Sequence, residues 1–157
     1  LSNPYTGVAA IFCGCYLNEN PPTIFEDGKQ SRDFVHVHDI ARANLMALEK
    51  DEAVGQAINI GTGTSTPILE VDRLLRENLC GNRAGDSSIQ PKITGRFRTG
   101  DIRHCYADIT RARELLGYEP SIAYRDGVPG LIEWVRTQKS VDRTGSAIDE
   151  LQKRELV

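Results

Sequence analysis

Long apolar runs are lacking from this sequence, since no stretch approaches the ~18–20 residues that a membrane-spanning helix needs. No signal peptide is expected at its start. An excess of basic residues is lacking as well, because 19 Lys and Arg stand against 22 Asp and Glu, for a formal net charge of −3. That balance gives no electrostatic footprint for nucleic acid. We therefore expect a cytoplasmic protein whose partners include neither a membrane nor a nucleic acid.

Cysteine is scarce too: the four cysteines among 157 residues are too few and too scattered for a disulfide framework. Cys13 and Cys15 are two positions apart, so on a helix they point to different faces and cannot easily share a tetrahedral metal. His36, His38 and His104 show no zinc-like spacing to them. The sequence predicts no metal site.

The usual signs of a dinucleotide site are also lacking. Gly61-Thr62-Gly63 lies between a predicted strand and a predicted helix, but Thr66 occupies the third glycine position of the fingerprint. No acidic residue ends a second strand about 20 residues further on. We therefore interpret this segment as a plain loop. None of the five tyrosines is followed by a lysine four places on, so the chain has no Tyr-x-x-x-Lys pair.

What is present alternates between segments typical of strands and of helices. Asn3-Pro4 is predicted to open the first helix, Asp39 and Asp108 to cap later ones, and Gly117 to close a short helix. The predicted strands cover 23–25, 32–37, 57–60 and 92–96, and the predicted helices begin near residues 4, 39, 66, 110, 126 and 148.

This alternation predicts an α/β fold of mixed short strands and helices. Because the strands are few and short, they indicate a lobe that leans on another part rather than a complete doubly wound sheet. The sequence shows no internal repeat and no clear domain boundary. We expect one lobe over residues 1–138 and a polar tail over residues 139–157.

The segment from Gly28 to Asp39 contains an arginine at the start of a predicted strand. There, Arg32 is placed to present its planar guanidinium to a phosphate from a fixed backbone. The alternative is a surface ion pair of Arg32 with Asp33 or Asp39. Local chemistry alone favours the ion pair.

A second basic segment extends from Arg96 to Asp108. Three arginines surround a predicted Gly100-Asp101 turn, a pattern that suits an anion, with Asp101 able to accept hydrogen bonds from ribose hydroxyls. The alternative is a loop whose charges are merely solvated.

Five segments taken together favour a ligand-binding role for both basic segments over surface charges, because they occur in the order found in one family. The sequence resembles the extended short-chain dehydrogenases/reductases that act on nucleotide sugars, the NAD-dependent epimerases and dehydratases. The resemblance extends from Asn3 to about Gln138. The segments are 3–8, 24–28, 32–39, 59–63 and 100–118.

The resemblance implies a role for seven residues. Thr23 and Phe25 match the strand beside the pyrimidine base, Arg32 and Arg98 the two diphosphate arginines, and Asp101 a residue near the ribose hydroxyls. Nearer the sugar, Cys105 matches a residue close to the ring and Asn3 a substrate-contacting asparagine. Pro67 departs from the family, which commonly has a Ser helix cap there.

The resemblance also implies a cofactor half that these residues do not supply. In the family, the glycine-rich NAD loop and the Tyr-x-x-x-Lys pair lie earlier in the chain, so no catalytic or cofactor-binding residue is predicted here. The expected partners are a UDP- or dTDP-linked sugar, the missing Rossmann half and, as an open alternative, a second copy in a homodimer.

The predicted function is therefore that of the C-terminal substrate-binding lobe of a nucleotide-sugar 4-epimerase, inactive by itself. Two alternatives stay open. One is a fragment of a 4,6-dehydratase that uses the same grip. The other is a nucleotide-sugar-binding or interaction module without catalysis.

Overall fold

The computed structural model describes residues 7–139 and 144–153. In this part of the chain, short strands alternate with longer helices, as the sequence predicts. None of these helices is long and apolar enough to cross a membrane. The strands are β1 (Thr23–Ile24), β2 (Ser31–Arg32), β3 (Thr66–Pro67), β4 (Lys92–Ile93) and β5 (His104–Cys105). The helices are α1 (Val8–Leu17), α2 (Val37–Glu49), α3 (Ile68–Cys80), α4 (Tyr124–Arg136) and α5 (Thr144–Lys153), with a π-helical turn at Ala112–Leu116.

The described residues form two compact units that interleave along the sequence. The first takes residues from Leu1–Gln30, Pro67–Ile102 and Val128–Val157, and the second from Ser31–Thr66 and Arg103–Gly127. Because each unit joins distant segments, no single cut in the sequence separates them. The absence of a visible boundary follows from that interleaving.

In the first unit, α1 packs against α3. Five consecutive residues of α1, Phe12 to Tyr16, are buried, which is the behaviour of a helix that is apolar all round. The Tyr16 hydroxyl donates to the buried Asp72 of α3, and Arg76 also bonds that carboxylate. The same unit contains a parallel pairing of β1 with β4, in which Ile24 lies opposite Ile93.

In the second unit, β2 and β5 pair in parallel, with Ser31 opposite His104 and Arg32 opposite Cys105. Its buried core lies beside them and joins α2 to the π-helical turn. Tyr118 is fully buried there, and its hydroxyl donates to the Gly61 carbonyl at 3.0 Å. The other buried members of this core are Ala43, Ile109, Ala112 and Leu116.

Two local predictions are confirmed. Gly117 ends its helix with a positive φ of 68°, the conformation that glycine adopts without a steric penalty. The carboxylate of Asp108 accepts from the Thr110 N–H at 2.9 Å, as a helix cap should. The predicted helical opening at Asn3-Pro4 lies outside the described residues.

The predicted strand 32–37 is wrong beyond its first residue. Val37 begins α2, and the N-cap is His36, whose side chain accepts from the His38 N–H. Asp39 is therefore not the cap. It is fully buried, and its carboxylate accepts from the backbone and hydroxyl of Ser121 and from the Ile122 N–H.

Two further boundaries also differ from the prediction. Residues 57–60 are not assigned as a strand. Thr66-Pro67, expected to open a helix, forms β3, so α3 begins two residues later than predicted, at Ile68. Within the predicted polar tail, Thr144–Lys153 is helical, and the division of the chain at residue 138 remains a prediction.

Candidate functional site

The strand assigned to the pyrimidine base lies in the first unit and is held by main-chain hydrogen bonds. Lys92 N–H donates to Pro22 O at 2.8 Å, Thr94 N–H to Ile24 O at 3.0 Å, and Glu26 N–H to Arg96 O at 2.9 Å. Because side chains alternate along a strand, the buried Ile24 faces one way and the half-buried Thr23 and Phe25 face the other. Thr23 and Phe25 are thus accessible in part, while Ile24 anchors the strand in the core.

A tight turn follows this strand pair and contains two more of the predicted residues. Asp101 N–H donates to Arg98 O at 3.1 Å, and Gly100 has a φ of 80°. This is the arrangement of a type II turn, which needs a positive φ at its third position. Arg98 and Asp101 therefore lie at the two ends of one turn, and both are exposed.

The second unit contains Arg32 and Cys105, which are neighbours in register across β2 and β5. The Arg32 guanidinium donates through Nη1 to the Ser31 carbonyl at 2.8 Å and to the Arg103 carbonyl at 3.1 Å. These two bonds restrict the orientation of the planar guanidinium. Cys105 is exposed, whereas burial raises the pKa of Cys13 in α1 to about 11.

The two carboxylates that could have paired with Arg32 have other partners. Asp33 accepts from Thr62 N–H at 2.9 Å, Thr62 Oγ at 2.6 Å, Gly63 N–H at 3.1 Å and Ala107 N–H at 3.2 Å. Asp39 is bonded to Ser121, Ile122 and Arg42. Burial opposes its ionisation, but the bonds from Ser121 and Arg42 outweigh that effect and hold the pKa of Asp39 below its ordinary range.

Comparison with known proteins agrees with the predicted resemblance. Residues 2–61 match the sequence profile of the NAD dependent epimerase/dehydratase family. This segment belongs to that family. The dTDP-L-rhamnose 4-epimerase of Burkholderia thailandensis is 30% identical over 135 residues, which are 86% of this chain and 35% of that protein. The UDP-glucose 4-epimerase of Mycolicibacterium smegmatis is 33% identical over 132 residues, covering 84% of this chain and 40% of that protein.

The fold agrees with the same family. A crystal structure of UDP-glucose 4-epimerase from Thermotoga maritima with UDP-glucose superposes with a TM-score of 0.73 at 36% identity, covering 86% of this chain and 41% of that one. The chain thus spans 35–41% of the length of these three relatives. UDP-glucuronic acid decarboxylases of Arabidopsis thaliana are also related to it. The predicted α/β fold and the predicted nucleotide-sugar family are confirmed.

The family is NAD-dependent, but the Gly61-Thr62-Gly63 loop does not fit a dinucleotide phosphate. Its Thr62 and Gly63 amides, the groups that would cradle an anion, are bonded to the Asp33 carboxylate. A negative group already fills this concavity and would repel a phosphate. A Cβ on Gly61 would lie 2.5 Å from Asp33 Oδ2, so the glycine is needed for packing against that carboxylate.

The predicted site residues thus fall into three groups. Within the first unit, Thr23 and Phe25 lie on β1 and the residue after it, and Arg98 and Asp101 lie in one turn. Within the second, Arg32 and Cys105 lie side by side. Asn3 lies outside the described residues.

Sequence reasoning missed one residue in this region, Asp33. It lies next to Arg32, yet its partners are 29 and 74 positions away. No local pattern reveals these bonds, because only the fold brings Thr62, Gly63 and Ala107 to Asp33. In the described part of the chain, no group of three or more His, Cys, Asp or Glu side chains is placed to hold a metal ion.

Proposed function

We propose that this chain supplies the grip on a nucleoside diphosphate-sugar in an NAD-dependent nucleotide-sugar 4-epimerase. The observation that carries the proposal is the register of β2 and β5, which sets the tethered guanidinium of Arg32 beside the exposed Cys105. A fixed cation next to a small, weakly polar side chain suits a sugar phosphate: the cation bonds the phosphate, and the thiol leaves space for the ring.

In this proposal, the remaining residues recognise the nucleoside. Phe25 and Thr23 lie along the pyrimidine base, and the type II turn presents Arg98 to the diphosphate and Asp101 to the ribose hydroxyls. Asn3, outside the described residues, keeps the sugar-contacting role that the family resemblance implies. Arginine suits the diphosphate because its fork makes two parallel, charge-assisted hydrogen bonds to phosphate oxygens.

NAD and the acid–base residues are proposed to come from another segment, a Rossmann half. One support is the length of the relatives, of which this chain spans 35–41%. The other is the Asp33 carboxylate, which already accepts from the amides of the Gly61–Gly63 loop. A positioned acid–base group contributes typically about 10²–10⁴-fold to a rate. The 157-residue chain alone should therefore neither bind NAD nor epimerise a sugar.

Two alternative assignments use the same grip. A 4,6-dehydratase would add an acid and a base from the Rossmann half, and the relationship to decarboxylases shows that related chains serve more than one reaction. A non-catalytic binding module would need no such half. An assay with a Rossmann half supplied in trans distinguishes the binding module from both enzymes, because only the epimerase and the dehydratase would gain activity.

Nucleotide affinity of the chain tests the proposal. Each charge-assisted hydrogen bond to phosphate is worth about 1.5–3 kcal/mol, so Arg32→Ala and Arg98→Ala should each weaken UDP or dTDP binding roughly tenfold or more. Arg113→Ala is the matched control, because it removes the same charge from an exposed ion pair with Glu119. Calorimetry that finds the same affinity in all three variants would return both arginines to the role of surface charges.

Cys105 carries the proposal about sugar choice. A small residue beside the ring leaves space for an N-acetyl group, whereas a tyrosine would fill that space. In the complete enzyme, Cys105→Tyr should remove activity on N-acetylhexosamine substrates and spare the hexose. Equal loss on both substrates, or no change on either, would mean that Cys105 does not gate the pocket.

A further inference from the structure

Two serine hydroxyls and a histidine ring form a hydrogen-bonded network that connects β2 to β5 on the face opposite Arg32. Ser31 and Arg32 are successive residues of β2, so their side chains point to opposite faces. Ser65 Oγ donates to Ser31 Oγ at 2.5 Å, and Ser31 Oγ lies 2.8 Å from His104 Nδ1. Ser31 is buried. The three side chains therefore connect β5, β2 and the segment before β3 behind the face that presents Arg32 and Cys105.

Asp33, the residue after Arg32, makes a second connection between the segments that follow β2 and β5. Its carboxylate accepts from the Ala107 N–H at 3.2 Å, two residues after Cys105, and from the Thr62 and Gly63 N–H groups at 2.9 and 3.1 Å. Gly61 permits this approach, because any Cβ there would lie 2.6 Å from Ala107 Cβ. The strand pair is thus held both before and after the position where Arg32 meets Cys105.

The pairing of β2 with β5 gains from such support because its ladder is short, although β3 also pairs with β2 on its other edge. Each strand has two residues, and so short a pairing is a weak determinant of register. A slip by one residue would turn Arg32 to the other face and set it opposite His104 instead of Cys105. The polar contacts of Ser31 and Asp33 oppose that slip directly.

We infer that Ser31 and Asp33 are positioning residues: without touching the substrate, they fix the register that sets the Arg32 guanidinium beside Cys105. The inference rests on the proposed nucleotide-sugar grip for its functional consequence. Its structural part, the register, stands independently of any ligand.

The test compares two carboxylates that hold backbone amides in the same unit. Asp33→Asn removes the charge that binds Thr62, Gly63 and Ala107. Asp39→Asn is the matched control, since it removes a charge bonded to the Ser121 and Ile122 amides, neither of which belongs to β2 or β5. UDP affinity by calorimetry and amide ¹H–¹⁵N shifts are measured on the folded 157-residue chain, and Ser31→Ala serves as a milder variant if Asp33→Asn unfolds.

We expect Asp33→Asn or Ser31→Ala to weaken UDP binding about tenfold and to shift the amides of β2 and β5, with Asp39→Asn changing neither. Unchanged UDP affinity in both variants, or an equal loss in the Asp39 control, overturns the inference. If the unaltered chain does not bind UDP, the proposed function fails, and the amide shifts decide the register alone. Strand shifts in the Asp33 or Ser31 variant but not in the control then support it, and their absence refutes it.

Discussion

The packing around Gly61 allows a sharp test of how the second unit is held together. A Cβ added at this position would lie 2.5 Å from Asp33 Oδ2 and 2.6 Å from Ala107 Cβ, whereas carbon atoms normally approach to about 3.5–4.0 Å. In Gly61→Ala, the neighbours must therefore retreat by about 1 Å. The Asp33 carboxylate cannot retreat without lengthening its bonds to Thr62 and Gly63.

Two costs then add. Overpacking a tight site costs about 1–3 kcal/mol, and losing one hydrogen bond to a charged group costs about 1.5–3 kcal/mol more. We expect Gly61→Ala to destabilise the chain by about 2.5–6 kcal/mol. For a protein of this size, each 1 kcal/mol lowers the melting temperature by roughly 2–4 °C, so the expected loss is at least roughly 5 °C.

The control is Gly130→Ala in α4, where an added Cβ meets nothing within 4 Å. Alanine in a helix interior is favoured over glycine by about 0.5–1 kcal/mol, so this variant should melt at or slightly above the temperature of the unaltered chain. Thermal unfolding followed by circular dichroism measures both. If Gly61→Ala melts together with Gly130→Ala, the contacts assigned to Asp33 are not those of the folded chain.

Three further expectations concern acid stability, thiol reactivity and association. Because the folded pKa of Asp39 is lowered, its stabilisation is present above about pH 4 and is lost as the pH falls, so urea midpoints of Asp39→Asn should depend less on pH in that range. Maleimide should label the exposed Cys105 before the buried Cys13, as mass spectrometry would show. The exposed Leu45 and Leu48 of α2 should promote self-association, so replacing both by Glu should shift sedimentation toward the monomer.

Each of these expectations has a clear contradicting outcome. If the stability of the Asp39 variant and that of the unaltered chain depend equally on pH, the Asp39 carboxylate does not contribute to the loss of stability in acid. Early labelling of Cys13 would show that α1 opens readily. A monomeric unaltered chain with a sharp, high melting transition would favour an independent module over a lobe that needs a partner.

Predictions from the sequence succeed where the chemistry is local. Gly117 ends its helix and Asp108 caps its helix because both act within a few residues, through a positive φ and a carboxylate bond to a nearby N–H. The start of α2 fails for the opposite reason. Asp39 has the residue type of a cap, but its partner Ser121 is 82 positions away, and no local pattern reveals that bond.

The candidate site shows the same division. The type II turn of Arg98 and Asp101 is readable from Gly100, since a positive φ at that position favours glycine. That Arg32 lies beside Cys105 depends on a parallel pairing between distant segments, which alternation within either strand cannot reveal. The role of each residue came from the family resemblance, and the structure adds which of them are neighbours within each unit.

Nuclear magnetic resonance titration of the ¹⁵N-labelled chain with UDP tests the central claim most directly. The account predicts saturable shifts at the amides of Thr23 to Phe25, Arg98 to Asp101, Arg32 and Cys105, and no shift anywhere with NAD. Shifts confined to other segments, or none at millimolar UDP, would contradict the assignment of this chain as a nucleotide-sugar grip.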